Sequence, residues 1–422
     1  MRKRLLIMLL ATAVIATGGC GKSSSGEGDA KGKSEIELFS SKSENQEFLQ
    51  TLVDEYNEGQ DQFQVTLNAP ADAETVLKTR LAKGDIPDIL AFNYSNVTRE
   101  ILQDGFWVDM NEDPLAQYCY DEYKNMIKAD NKEDSDALYG LPYAANAGGV
   151  IYNVDKFEEA GLDIPQTWDE FIDLAKTLKE NGETPFLFPF KDIWTAKHPF
   201  VYPEAIMQPD NFEADRKAGK TTYVGTHEEI ADRFLTILDY AQDDYMGLSY
   251  SDANKAFANG EAYMMINGNW VIPEIKKANP DCNVSMFAMP VSNNPEENKV
   301  STGIDVMFTL SKDCENMDGA KDFIDFMMQK EQAQRYMDDQ FALSAVNTAT
   351  QEDPSVSVLQ DYISDGKICM FADMQIPNGM DFDSALSQFC LNYSNGMDRD
   401  EAISQFLADV DEKFDTAIAQ NQ

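Results

Sequence analysis

The stretch from Ala256 to Trp270 (AFANGEAYMMINGNW) joins an apolar run to a tryptophan that has asparagines beside it. An indole offers a flat apolar face and an amide offers hydrogen-bond donors and acceptors, so together they can bind a small molecule. A tryptophan that only fills the core could have the same neighbours. We interpret Trp270 as a binding platform, with Asn269 and Asn267 as its polar partners.

The sequence lacks the common catalytic motifs. It has no Gly-x-Ser-x-Gly elbow, no His-Glu-x-x-His pair and no phosphate loop. With only His198 and His227, and no cysteine pair at zinc spacing, we expect no metal site and no cofactor. A glycoside hydrolase needs two carboxylates that flank the scissile bond. Because the chain has 74 acidic residues, that alternative stays open.

The composition is strongly acidic, with a formal net charge of -40 at pH 7. Such a surface repels nucleic acid and anionic lipid, so we expect neither as a partner of the folded body. A neutral or cationic ligand is easier to accommodate than an anionic one. The charge otherwise indicates a soluble surface.

The first residues predict export. Arg2, Lys3 and Arg4 precede an apolar run that is too short to span a bilayer, followed by small residues and Cys20. We therefore expect a signal peptide at 1–19. The cysteine after small residues resembles the lipobox of bacterial lipoproteins, which implies lipidation of Cys20. Residues 20–34 predict a flexible tether, which would hold the body close to the outer face of the cell membrane.

Five further cysteines follow Cys20, namely Cys119, Cys282, Cys314, Cys369 and Cys390. An odd number in an exported chain leaves at least one thiol unpaired. We interpret them mainly as small buried apolar residues, and the sequence does not decide whether any disulfide forms.

Strand and helix patterns alternate through the body. Strands are predicted at 35–39, 63–67 and 88–92, with helices between them. Ser43 with Gln46 and Thr167 with Glu170 have the spacing of capping boxes. The βαβαβ order of residues 35–92 predicts a parallel sheet, and because a similar order recurs after residue 149, we predict an α/β protein with two lobes. Small-molecule sites are common between domains, so a cleft between the lobes is the expected binding site.

Five segments in this order resemble the extracellular solute-binding proteins of ABC importers, in the maltose-binding-like group that carries sugars. They are GDIPDIL (84–90), GFWVDMNED (105–113), LYGLPYAANAGGVIYN (138–153), AGLDIPQTWDEFIDLAKTLKENG (160–182) and FANGEAYMMINGNW (257–270). The resemblance implies a periplasmic-binding-protein-like fold with a hinge and an interlobe ligand cleft. It also implies an N-lobe of 35–144 plus about 303–350, and a C-lobe of about 145–302 plus 351–422.

The resemblance also implies the ligand-binding residues. Trp270 and Trp194 stand where the family places stacking aromatics, Asp192 aligns with an acidic contact, and Asn146 matches a polar position where the family member compared has a carboxylate. In the N-lobe, the resemblance implies that residues following the third and the first strands contact the ligand. These are Phe92, Asn93 and Tyr94, and Ser43 and Glu44; Ser43 is also the predicted helix cap. Trp107 and Trp168 are expected to be structural.

The implied function is a monomeric lipoprotein that binds a di- or oligosaccharide by hinge closure and delivers it to permease subunits served by an ATPase. A receptor for a cationic solute such as a polyamine is the alternative that the acidity suits. A surface glycoside hydrolase and a non-transporting sensor or adhesin are alternatives of other classes.

Overall fold

The computed structural model describes residues 33–70, 72–129, 131 and 135–420. The predicted signal peptide, Cys20 and all but the end of the predicted tether lie outside this range, and so does the side chain of Glu44. Strand β1 begins at Ser34, the last residue assigned to the tether. In the described part of the chain, no helix is both long enough and apolar enough to cross a membrane.

The strands of the described chain are short except for two. In chain order they are β1 (Ser34–Ser40), β2 (Phe63–Asn68), β3 (Ile89–Phe92), β4 (Leu141–Asn153), β5 (Met264–Gly268), β6 (Val284–Phe287), β7 (Val300–Leu310), β8 (Leu343–Ser344) and β9 (Ile368–Met370). The two long strands, β4 and β7, pair with each other in an antiparallel ladder.

Helices separate these strands. The first eight are α1 (Gln46–Gly59), α2 (Ala73–Leu81), α3 (Asn96–Leu102), α4 (Asp121–Lys128), α5 (Val154–Ala160), α6 (Trp168–Glu180), α7 (His198–Met207) and α8 (Phe212–Lys217). The others are α9 (Glu228–Leu238), α10 (Tyr250–Ala258), α11 (Val271–Ala278), α12 (Met317–Met328), α13 (Lys330–Gln340), α14 (Ser357–Ser364), α15 (Phe382–Ser394) and α16 (Arg399–Gln420).

The first sheet confirms the predicted βαβαβ order. Strand β1 lies parallel to β2 and to β3, with α1 and α2 as the crossovers. Strand β3 then pairs antiparallel with β7, which comes much later in the chain. The sheet order is β2-β1-β3-β7-β4-β5. The first sheet is therefore incomplete without a strand from the second half of the chain.

Strand β4 changes partners along its length. Its first half, Leu141 to Ala147, pairs with β7, and its second half, Gly148 to Asn153, pairs with β5 and β6. Such a strand can act as a hinge, because a small change in twist at its middle moves one sheet relative to the other. The buried apolar residues form two large clusters, and on the second half of β4 the neighbours Val150 and Ile151 belong to different ones.

The two predicted capping boxes have different outcomes. Thr167 and Glu170 form the reciprocal hydrogen bonds of a capping box at the start of α6, as predicted. The box at Ser43 is wrong, because Ser43–Asn45 forms a 3-10 turn and α1 begins only at Gln46. Asn45 precedes α1 without a side-chain cap and instead donates a hydrogen bond to the hydroxyl of Tyr336 at 2.7 Å.

Of the two tryptophans expected to be structural, Trp107 lies in the core and Trp168 is partly buried. Trp107 is fully buried and donates its indole N–H to the carbonyl of Ile101 at 2.7 Å. Met264, Met265, Met327 and Met328 are also fully buried. The five cysteines of the described chain are free thiols, and all but Cys369 are buried, which confirms their interpretation as small apolar residues.

Charged groups are buried between α7, α8, α9 and α16. Glu204, Glu213, Arg216 and His227 are each at most 6% exposed. Arg216 pairs with Asp411 at 3.0 Å, and Nε2 of His227 lies 3.3 Å from Oε1 of Glu204. Burial, reinforced by the nearby charge of Glu204, raises the pKa of Glu213 to about 8. Burial also lowers the pKa of His227 to about 4, so near pH 7 Glu213 is mainly protonated and His227 is neutral.

Candidate functional site

Aromatic rings gather where β5 ends and α7 begins. The imidazole of His198 is buried and lies 5.5 Å from the ring of Trp194, 5.4 Å from that of Trp270 and 5.3 Å from that of Tyr202. Trp194 also contacts Tyr250 at 5.1 Å. Trp194 is 37% exposed and Trp270 is partly exposed, so both sequence-predicted platforms keep surface that a solute can reach.

Two paired glycines allow these rings to lie directly on the sheet. Gly148 of β4 is opposite Gly268 of β5 in the antiparallel ladder. A Cβ on Gly268 would lie 2.0 Å from Cζ3 of Trp270, and a Cβ on Gly148 would lie 2.1 Å from Cζ of Tyr202. Both distances are far inside van der Waals contact. Glycine is therefore required for Trp270 and Tyr202 to occupy their positions.

We expect the Gly268→Ala variant to displace the indole of Trp270 and to weaken ligand binding by about tenfold or more, because the added methyl occupies the place of the ring. Near-ultraviolet circular dichroism and a ligand titration measure the two effects. Gly59→Ala is the control, since an added Cβ there meets nothing within 4 Å. Unchanged affinity in Gly268→Ala would show that the position of this indole does not affect binding.

Asp192 is held beside this cluster. Its Oδ2 accepts the backbone N–H of Tyr250 at 2.6 Å, at the first residue of α10. One oxygen is therefore committed to the protein, and α10 positions both Asp192 and the ring of Tyr250. A short charge-assisted hydrogen bond of this kind fixes the carboxylate.

His198 is a neutral member of the cluster. Burial lowers its pKa to about 3, and the neighbouring charge of Lys197 acts in the same direction. Its Nε2 receives or donates no hydrogen bond among the described residues, and the hydroxyl of Tyr202 likewise lacks a partner there. Buried polar atoms without partners are expensive, and a ligand that supplies a hydrogen bond relieves that cost.

Asn269, predicted as a ligand contact, makes two hydrogen bonds inside the protein. It is 3% exposed, its Oδ1 accepts the N–H of Ala147 at 2.8 Å and its Nδ2 donates to the carbonyl of Phe341 at 2.8 Å. Both ends of this amide are thus used inside the protein. Asn269 ties β4 to Phe341, the residue after α13, and so commits one donor and one acceptor of its amide to the protein.

The predicted residues after β3 are divided between core and surface. Phe92 is fully buried and stacks on Phe39 at 5.7 Å, and Tyr94 is 2% exposed. Both therefore belong to the core in this conformation, because β3 is covered on both faces. Asn93 lies between them, accepts a weak hydrogen bond from Ser41 at 3.4 Å, and borders a cavity of about 310 Å³.

The remaining predicted residues lie near the first half of β4 and after β1. Asn146, at the middle of β4, is partly exposed and donates from Nδ2 to Oδ1 of Asp305 at 3.1 Å. Ser43 is exposed in its 3-10 turn. The neighbouring Lys42 forms an ion pair with Asp305 at 2.5 Å, so Lys42 and Asn146 meet at the same carboxylate.

Several residues of the site were not predicted. His198 and Tyr202 follow Trp194 at intervals of four residues, which places all three on one side of a helical segment. That spacing was a usable signal. Tyr250 and Asp305 gave no such signal, because their contacts depend on how distant segments meet. Within the described residues, no three His, Cys, Asp or Glu side chains form a group that could hold a metal ion.

A polar cavity lies away from the aromatic rings. This cavity of about 360 Å³ is bordered on one side by Ser95 and Asn96 and on the other by Lys197, Asp373 and neighbouring residues. Next to it, Asn378 donates to Glu100 at 3.0 Å and the guanidinium of Arg99 donates to the carbonyl of Met374. Polar groups from both halves of the molecule therefore face a shared space.

The family model and the relatives that match this chain are all of binding proteins. Residues 40–334 match the family model described as bacterial extracellular solute-binding protein. The multiple sugar-binding protein of Streptococcus mutans is 28% identical over 342 residues, which are 79% of this chain and 80% of that protein. The melibiose/raffinose/stachyose-binding protein MelE of Bacillus subtilis is 23% identical over 395 residues, or 90% of this chain and 89% of that one.

Solved structures agree with the fold. The apo form of RafE from Streptococcus pneumoniae has a TM-score of 0.78 at 23% identity, covering 92% of this chain and 100% of that one. RafE in complex with raffinose has a TM-score of 0.72 at 24% identity, covering 90% and 99%. At these identities the likeness shows the fold, an α/β fold of two lobes.

Proposed function

Because the chain belongs to the bacterial extracellular solute-binding protein family, we propose that it is the sugar receptor of an ABC importer. It captures a di- or oligosaccharide between two lobes and presents it to permease subunits that an ATPase drives. The names of its relatives support a sugar of the raffinose kind as the first candidate. Ligand favours the closed form because it contacts both lobes only when they close.

The observation that carries this proposal is the set of partly exposed rings beside the hinge. Trp194 and Trp270 contact the buried His198, Tyr250 packs on Trp194, and Asp192 accepts the backbone N–H of Tyr250. The C–H faces of a sugar pack on such rings, and its hydroxyls bond to carboxylates, amides and buried nitrogens. We keep these residues with Asn146 and Asn93 as the proposed contacts. For Ser43 and Glu44, contact with the ligand stays a prediction.

The lobes are proposed as an N-lobe of 35–144 plus about 303–350 and a C-lobe of about 145–302 plus 351–422. The change of partners within β4 supports a crossing near residue 147, and the pairing of β7 with β3, β4 and β9 supports a second crossing. These two strands are the proposed hinge. The buried Asn269 would then maintain the hinge rather than bind the solute.

The location and partners complete the proposal. The signal peptide at 1–19 and the acylated Cys20 would leave the mature protein as a monomer tethered to the outer face of the bacterial cell membrane. The lipid would be its only contact with the membrane. The permease subunits would then bind the closed, sugar-loaded form of the protein.

We expect the protein without residues 1–20 to show saturable quenching or enhancement of tryptophan fluorescence with one neutral sugar, at micromolar affinity. The panel should contain mono-, di- and oligosaccharides, with raffinose and stachyose among them, and the polyamine spermidine. Micromolar affinity corresponds to about -8 kcal/mol, which a few stacked rings and buried hydrogen bonds can supply.

The panel also separates the alternatives. Saturation by spermidine alone would assign the receptor to cationic solutes and contradict the sugar proposal. Release of shorter sugars from an oligosaccharide, followed by chromatography, would indicate a hydrolase. If glucose, raffinose and spermidine changed the fluorescence equally and without saturation, the change would be nonspecific quenching.

A further inference from the structure

Asp305 joins two residues of the proposed site. It lies on β7, two residues beyond Gly303, which is opposite Asn146 of β4 in the ladder. Its Oδ1 accepts from the ammonium of Lys42 at 2.5 Å and from Nδ2 of Asn146 at 3.1 Å. The Lys42 and Asp305 side chains are 14% and 20% exposed, so this contact is largely shielded from water.

We propose that Asp305 is a positioning residue that fixes the amide of Asn146 so that its Oδ1 is presented at the hinge as a hydrogen-bond acceptor. A solute held there must bring a donor, such as a hydroxyl, to this atom. This inference rests on the proposed function and adds a specificity rule to it. The sequence resemblance placed Asn146 near the ligand, whereas the orientation follows from Asp305.

The chemistry of the two groups determines the orientation. An ionised carboxylate only accepts hydrogen bonds, whereas an amide donates from its nitrogen and accepts at its oxygen. If the amide of Asn146 were turned over, its oxygen would face the carboxylate of Asp305 and the hydrogen bond would be lost. The ammonium of Lys42 donates to the same oxygen of Asp305.

The backbone around Asn146 is fixed as well. Its carbonyl accepts the hydroxyl of Thr302 at 2.7 Å, and that hydroxyl lies 2.9 Å from the hydroxyl of Tyr123. The next residue, Ala147, is bonded to Asn269. These contacts leave the side chain little freedom, so the orientation set by Asp305 persists.

The other end of the amide carries the inference. Oδ1 of Asn146 is inaccessible to water in this conformation and accepts no hydrogen bond from any described residue. An unpaired buried acceptor destabilises the protein, and a ligand donor removes that cost. A solute that presents only acceptors to this atom, such as a carboxylate or phosphate, would instead be repelled. The rule therefore favours hydroxyl groups and excludes anions at the hinge.

A measurement without ligand tests the orientation. In protein labelled with 15N-asparagine, the side-chain NH₂ signal of Asn146 is assigned by its loss in the Asn146→Asp variant. We expect Asp305→Ala to shift this signal and to speed the exchange of its protons by about tenfold, because the acceptor is gone. Glu55→Ala removes a carboxylate from another ion pair, with Arg335, and should leave the signal in place. An unchanged signal in Asp305→Ala would overturn the proposal whatever the ligand is.

A titration with raffinose tests the consequence. Asp305→Ala should weaken affinity about tenfold, and Asp305→Asn should keep it within about threefold because its oxygen can still accept from Asn146. In an Asn146→Ala background, Asp305→Ala should cost less than about twofold more, since the residue acts through the amide. A full tenfold loss in that background would overturn the proposal. Failure of the unaltered protein to bind raffinose would count against that sugar as the ligand, and the NH₂ measurement would still decide the orientation.

Discussion

The Trp270→Ala variant is expected to lose about a hundredfold in affinity for its sugar, which is roughly 3 kcal/mol. The indole lies on Gly268, contacts the imidazole of His198 and keeps part of its face exposed. Removing it deletes the stacking surface and also uncovers the buried imidazole. Isothermal titration calorimetry is the suitable measurement, because the substitution removes one of the four tryptophans that fluorescence would report.

Two further variants make this test specific. Trp270→Phe retains a ring and should lose no more than about tenfold. Trp168→Ala removes an indole that packs on Phe171 and Arg233, outside the aromatic cluster, and should leave affinity within about twofold. If Trp270→Ala bound as well as Trp168→Ala, then Trp270 would be only a packing residue and the site would have to be placed elsewhere.

Glu213→Gln is expected to stabilise the protein more at pH 8.5 than at pH 6. The buried Glu213 has its pKa raised to about 8 in the folded state, and an unfolded glutamate ionises near pH 4.5. Between these values the folded protein holds a proton that the unfolded chain releases, so the free energy of unfolding falls as pH rises and levels off above pH 8. Glutamine does not ionise, so the variant escapes this loss.

The expected gain of Glu213→Gln over the unaltered protein grows by about 2 kcal/mol between pH 6 and pH 8.5, a shift of a few degrees in Tm. Arg216, Lys217 and Arg99 oppose the rise in the pKa of Glu213, and Glu204 reinforces it. The lowered pKa of His227 acts in the other direction below pH 6.5 and cancels in the comparison of the two proteins. Thermal unfolding by circular dichroism measures the difference.

The exposed Glu412→Gln on α16 controls for the loss of one negative charge. A difference between Glu213→Gln and the unaltered protein that stays constant from pH 6 to pH 8.5 would mean that Glu213 is already ionised in the folded state. Its carboxylate would then need a donor that the described residues do not provide.

Local patterns predicted the fold well because they act over short distances. Alternating strands and helices gave the parallel arrangement of β1, β2 and β3, and Thr167 with Glu170 marked the start of α6. Ser43 had the same spacing as Thr167, yet the chain turns there as a 3-10 helix. Residue spacing alone did not distinguish the two cases.

The site was less predictable, because side-chain roles depend on contacts between distant segments. Asn269 stands next to Trp270 in the sequence, but the register of β4 and the position of Phe341 engage both ends of its amide. Phe92 follows a strand as expected of a site residue, yet β3 is covered on both faces and the ring points into the core. The contacts of Asp305 could not be predicted from the sequence for the same reason, because Lys42 and Asn146 come from other parts of the chain.

The pairing of β3 with β7 has a consequence for how the molecule folds. Ile89 of β3 is opposite Leu310 of β7. Strand β3 can therefore pair with β7 only after the ribosome has made the whole segment between them. Contacts so distant along the chain carry a large loop-closure entropy and slow folding. The segment that contains β1, β2 and β3 therefore lacks the strand that borders β3 until Leu310 has left the ribosome.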